Sequence, residues 1–163
     1  MASPTIRIPP VLTYHMIRTF APLLIVAALL TACGSPEDTR PGQPVKTRQQ
    51  AFKALLRSFE PMSKMMKEDR YNAEEFALMS KEFISKREAP WSHFGPDTDY
   101  PPSKAKSAVW EKAEAFEKAR KDFFDASDAL NDAAQGRDKV RVEDLYQKVY
   151  RSCKSCHDDF RSR

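Results

Sequence analysis

Close to its C-terminus the chain reads Cys153-Lys154-Ser155-Cys156-His157, two thiols three residues apart followed at once by an imidazole. Cys-x-x-Cys-His is the pattern of c-type haem attachment, in which the thiols add to vinyl groups of a porphyrin and the adjacent histidine takes the iron. The spacing has a mechanical basis on a helix. Residues three apart project from one face, and the next residue points its ring toward the macrocycle they anchor. Other uses of a cysteine pair fit less well. A disulfide between positions i and i+3 of one helix closes a loop so small that it constrains almost nothing. A thioredoxin-like dithiol belongs at a helix N-terminus in a βαβ setting. Zinc needs four ligands, and beyond residue 33 the thiols and imidazoles are Cys153, Cys156, His157 and His93 alone, without paired-knuckle spacing.

The histidines narrow the chemistry further. His93 falls in a proline-rich stretch, which argues against ligation of one iron by two imidazoles. Met62, Met65, Met66 and Met79 could supply a sulfur, although methionine on an amphipathic face ordinarily fills core. The group that covers the second face of the iron decides between an electron carrier and a gas binder.

The elements that must position this motif are helical. The 163 residues are 41% hydrophobic and 31% charged with only 4 Gly, a composition that favours helices over a many-stranded sheet. The 27 Lys and Arg against 23 Asp and Glu give a net charge of +4, or +2 without Arg7 and Arg18 of the first 32 residues. So small a surplus excludes nucleic acid as an inferred partner. Phe52, Leu55, Leu56, Phe59, Met62 and Met66 recur at steps of three and four, the stripe of a first amphipathic helix, in which Pro61 predicts a bend. Asn72 caps a second helix carrying Phe76, Met79, Phe83 and Ile84. Residues 88–103, with Pro90, Gly95, Pro96, Pro101 and Pro102, form a long ordered loop. Val109, Ala113, Phe116, Ala119, Phe123 and Leu130 predict one long third helix, about 45 Å at 1.5 Å per residue, ending in a left-handed cap at Gly136. Val142, Leu145, Val149, Cys153, Cys156 and Phe160 share a face of the fourth. These elements predict an all-α, antiparallel four-helix bundle over residues 45–163 with the haem attached near the C-terminus.

The N-terminus reads as an address. The apolar run 21–32, APLLIVAALLTA, is about 12 residues long, short of the roughly 20 that span a bilayer. With Arg18 ahead of it, residues 1–32 read as an export signal, starting at Met1 or at Met16. Leu30-Thr31-Ala32-Cys33 resembles a bacterial lipobox, which implies lipid attachment at Cys33 and anchoring to a membrane facing the periplasm. The absence of Asp at Gly34 and Ser35 favours the outer membrane. Residues 33–44, polar and proline-rich, are expected to be a flexible tether.

Three motifs in order, Arg48-Gln49-Gln50-Ala51-Phe52, Ala89-Pro90-Trp91-Ser92-His93-Phe94-Gly95-Pro96 and Cys153 through Arg161, resemble those of cytochrome c′, the class II c-type cytochromes. The resemblance implies one covalent haem c held by Cys153 and Cys156, with His157 as single axial ligand. It also implies that Arg48 and Gln49 meet the propionates and that Arg161 lies beside the proximal imidazole. Phe52 departs from the family's usual Leu or Met at the residue facing the vacant side of the iron. A phenyl ring offers iron no lone pair, so five-coordinate haem under an apolar lid is expected, selecting nitric oxide, carbon monoxide and other small uncharged molecules. Electron transfer with a respiratory donor is the alternative, and weak peroxidase chemistry ranks last for want of a distal His and Arg pair. The Met- and Phe-rich face of the first helix suits either a core seam or a homodimer seam formed by the first and second helices.

Overall fold

The computed structural model describes residues 36–163, of which Glu37–Arg163 form one compact unit. The signal over 1–32, the lipid site Cys33 and the choice between Met1 and Met16 lie outside the described residues. Four long helices, α1 Pro44–Lys67, α2 Ala73–Lys86, α4 Ala113–Gln135 and α5 Lys139–Phe160, form the antiparallel bundle, with the short helix α3 Ala108–Glu111 before α4. Helix α1 lies along α2, α4 along α5, and α2 against α4. Among the described residues there is no strand, and the only bridge joins Ala105 to Arg161.

The apolar stripes do what their spacing requires. Leu55, Phe59, Met62 and Met65 of α1 meet Phe76 and Phe83 of α2, Phe123 and Leu130 of α4, and Val142, Tyr146 and Val149 of α5. Each such side chain removed from water is worth about 1.5–3 kcal/mol. Tyr146 stacks on Phe59 with centroids 5.3 Å apart, and its hydroxyl is within 3.0 Å of Ser63 Oγ on the same helix as Phe59. A second cluster, Val109, Phe116 and Phe160, gathers α3, α4 and the end of α5. Helix α1 runs on through Pro61. Asn72 caps α2 by accepting a hydrogen bond from Glu75 N at 3.0 Å.

Three expectations need correction. The third helix is not continuous: Lys112, at φ −120° and ψ 49°, separates α3 from α4. Trp110 is tied to the loop, its indole N–H donating to the carbonyls of Phe94 and Gly95, both at 3.1 Å. At 23 residues α4 extends about 35 Å, and Ala113 at its start is exposed. Gly136 follows α4 as expected but sits at φ −76°; the left-handed residue is Arg137 at φ 56°, whose guanidinium grips Glu74 with two 2.7 Å bonds.

The tether also ends sooner than Pro44. Asp38 is buried, and one carboxylate oxygen accepts from Val45 N at 2.9 Å and Lys46 N at 3.1 Å, taking up free N–H groups of the first turn of α1. The other accepts from Tyr100 Oη at 2.8 Å and Arg40 N at 3.2 Å. Burial opposes the charge, but the bonds from Lys46, Tyr100, Arg40 and Val45 outweigh it and hold Asp38 below the ordinary carboxylate value of 3.8. Arg40 adds a bond to Asp97 O at 2.9 Å and lies 3.8 Å over the Tyr100 ring. Residues 38–43 are therefore a strap fastened to both α1 and the loop.

Candidate haem site

A cavity of about 470 Å³ opens between the two aromatic clusters, within the range of roughly 300–1,000 Å³ common for cofactor sites. All seven residues singled out for the cofactor line it: Arg48, Gln49 and Phe52 from α1, Cys153, Cys156 and His157 from α5, and Arg161 just beyond. The periodicity of α5 explains the lower wall. Val142, Tyr146 and Val149 are buried, and one turn further the same face presents Cys153 and then Cys156. Cys153 packs against the main core and Cys156 against the second cluster, so the two thiols mark adjacent points along one edge of the cavity. Both are free, and burial pushes each thiol up to about 11, aided by Cys156 for Cys153 and by Asp159 for Cys156.

His157 is solvent-accessible and also lines the cavity. Desolvation first, then the nearby positive charge of Arg161, depress its imidazole below the ordinary 6.5, against a smaller opposing effect of Asp158. The neutral ring keeps a lone pair for a metal. Arg161 is held in place by backbone pairing, since Arg161 N donates to His157 O at 3.1 Å, and its neighbours Phe160 and Ser162 bond to residues 106 and 104 of the loop. His93 is not among the lining residues, and neither is any methionine of the described residues. Met62 and Met65 are instead buried in the core, with Met66 and Met79 packed against it.

The opposite wall is aromatic. Phe52 meets Trp91 edge-on at 5.5 Å and Phe94 at 6.1 Å. Phe116, Phe123, Phe59, Phe83 and Phe160 complete an apolar interior, with Lys53 and Lys104 exposed at its border. Trp91 is fixed by its indole N–H, which donates to Arg87 O at 2.6 Å, while Arg87 reaches Ser127 Oγ at 2.8 Å and Asp128 at 2.7 Å. Sequence reasoning placed Phe116 and Phe123 on a core stripe and missed their part in the cavity. Their spacing of two helical turns was the available signal, since it puts both on the face that looks toward the Cys pair.

Arg48 and Gln49 border the cavity yet spend their polar groups on the loop. The Nη atoms of Arg48 donate to His93 O, Thr98 Oγ1, Thr98 O and Ser103 Oγ at 2.8–3.1 Å, and Gln49 Nε2 donates to Pro102 O at 2.9 Å. Of the five donors of Arg48, only Nε–H is left for a propionate.

These features fit a haem. An apolar slot flanked by two partly buried thiols one turn apart accepts a flat macrocycle bonded along one edge, and a neutral imidazole beside them can hold its iron. Among the described residues no group of three or more His, Cys, Asp or Glu side chains is placed to hold a bare metal ion.

Comparison with known proteins agrees. The family model for Cytochrome C′ matches residues 43–161. A cytochrome c′ of Rubrivivax gelatinosus is 32% identical over 130 residues, covering 76% of this chain and 98% of the relative. One of Cereibacter sphaeroides is 32% identical over 122 residues, 72% of this chain and 81% of the relative. The crystal structure of cytochrome c′ from Rubrivivax gelatinosus superposes with a TM-score of 0.71 at 28% identity, covering 77% of this chain and 100% of that one. A nitric oxide complex of a variant cytochrome c′ from Alcaligenes xylosoxidans gives the same TM-score of 0.71 at 28% identity, over 78% of this chain and 99% of the other. With its bundle, its paired cysteines and its histidine at one cavity, this chain belongs to the cytochrome c′ family and carries covalently attached haem c.

Proposed function

We propose that the protein binds nitric oxide and other small uncharged gases at a haem iron held from one side only, outside the cytoplasm and anchored to a membrane through Cys33. The observation that carries the reading is the donor set of the cavity: among the described residues His157 is its only imidazole and no methionine lines it, and Phe52 with Trp91 and Phe94 walls the other side. The haem supplies an iron able to take a diatomic ligand. His157 would contribute a lone pair to that iron, and Cys153 and Cys156 would hold the ring through thioethers. Burial, with the nearby charge of Arg161 adding to it, favours the neutral imidazole. Phe52 excludes water and anions, because a polar ligand buried without a partner costs about 1–3 kcal/mol. The nitric oxide and carbon monoxide complexes of related cytochrome c′ variants support the ligand class.

The location rests on the lipobox-like Leu30-Thr31-Ala32-Cys33. Among the described residues no helix is long and apolar enough to cross a membrane. The role that follows is lowering or buffering nitric oxide near that membrane. Titration of the reduced protein with nitric oxide tests it. Saturation at one equivalent per chain, with a spectral change at the haem, is expected; a spectrum unmoved by nitric oxide or carbon monoxide overturns the reading. Labelling of the expressed protein with a fatty-acid probe, lost in Cys33→Ala, tests the anchor.

A further inference from the structure

We infer that Arg48 is a positioning residue for the gas-binding face: its guanidinium latches the 93–103 loop to α1 and thereby sets which ligands pass beneath Phe52. The inference rests on the gas-binding reading. Arg48 is 3% exposed, and each of its four Nη protons has its own acceptor. Nη1 donates to His93 O at 2.9 Å and Thr98 Oγ1 at 3.1 Å; Nη2 donates to Thr98 O at 2.9 Å and Ser103 Oγ at 2.8 Å. One planar fork therefore reaches both ends and the middle of a loop that has no ladder of its own. No carboxylate is among these partners, so the charge serves to strengthen bonds to neutral acceptors.

The latch connects to the lid. The guanidinium lies 4.3 Å over the Phe94 ring. Phe94 meets Phe52 at 6.1 Å and Phe116 at 4.9 Å, so its position fixes how far the Phe52 ring can swing. On the far side Trp110 holds the carbonyls of residues 94 and 95 to α3. With Arg48 removed, the loop keeps its ties to α3 and the single bond from Gln49 Nε2 to Pro102 O, but loses the four bonds that fix residues 93, 98 and 103 to α1, the helix that carries Phe52. A lysine keeps the charge but cannot span these acceptors, since its three donors radiate from one atom.

The test compares two neutral ligands of different bulk on the reduced holoprotein, carbon monoxide and n-butyl isocyanide. The wild type is expected to bind the first and discriminate against the second. Arg48→Lys is expected to raise the ratio of isocyanide to carbon monoxide affinity at least tenfold. Thr98→Val with Ser103→Ala keeps Arg48 and removes two acceptors; it is expected to move the ratio in the same direction by about threefold, and it carries the test if Arg48→Lys fails to load haem. A general loss of stability leaves this ratio unmoved. A ratio unchanged within twofold in the variants, while carbon monoxide still binds, overturns the latch. A wild type that takes neither ligand overturns the gas-binding reading and the latch with it.

Discussion

Replacing Phe52 with alanine should make carbon monoxide enter the reduced protein faster, by an amount that follows from the ring's neighbours. To admit a ligand, the ring must leave its edge contacts with Trp91 at 5.5 Å and Phe94 at 6.1 Å. Aromatic pairs contribute roughly 0.5–1.5 kcal/mol each beyond their burial, so displacing the lid costs on the order of 1–3 kcal/mol. At tenfold per about 1.4 kcal/mol, this corresponds to roughly 5- to 150-fold in rate. Phe52→Ala removes that cost, and Phe52→Leu, which keeps bulk but loses the edge contacts, should fall between. Flash photolysis of the carbon monoxide complex reads the association rate directly. The same variant should lose about 2 kcal/mol of stability, roughly half the cost of a fully buried Phe→Ala, because Phe52 is only partly buried. An association rate within twofold of wild type in Phe52→Ala would refute the assignment of Phe52 as the lid.

The remaining predictions concern the frame around the site. Leu130 is completely buried between the helices, so Leu130→Ala should cost about 2–5 kcal/mol, read as a lower denaturant midpoint with an unchanged slope. Asp38→Asn should lower the melting temperature at neutral pH. Because Asp38 is held below 3.8 in the folded state, its contribution is present above that value and is lost as pH falls through its lowered pKa, so wild type and variant should converge in strong acid. In haem-free protein, thiols pushed up to about 11 are ionised at pH 8 to about one part in a thousand, against one in ten for the ordinary 9.0. Alkylation of Cys153 and Cys156 should therefore be about a hundredfold slower in the folded chain than in urea; equal rates would contradict their desolvation.

What could be read from the sequence was local in origin. The stripes of α1, α2 and α5 repeat every turn, so Phe59, Phe83 and Val149 announce the core, and Cys153, Cys156 and His157 inherit a face from the residues before them. Asn72 is legible for the same reason, since its bond reaches only to residue 75. The interactions that escaped join residues far apart. Arg48 binds the loop across 45–55 positions, and Asp38 meets Tyr100 across 62. No periodicity encodes such pairs. Composition alone suggested a solvated tether where Asp38 in fact replaces a missing helix cap. The split at Lys112 was hidden because Val109 and Phe116 keep helical spacing although two helices carry them. Propensity favours Gly136 for the left-handed position after α4, whereas Arg137 adopts it while paired to Glu74.

In the proposed function the iron is bound by His157 on one face and by no protein atom on the other. Resonance Raman and absorption spectroscopy of the reduced protein, before any ligand is added, measure that coordination directly. A five-coordinate high-spin haem with a histidine–iron stretch is the predicted result. A six-coordinate low-spin spectrum, such as a methionine or lysine ligand would produce, would contradict it.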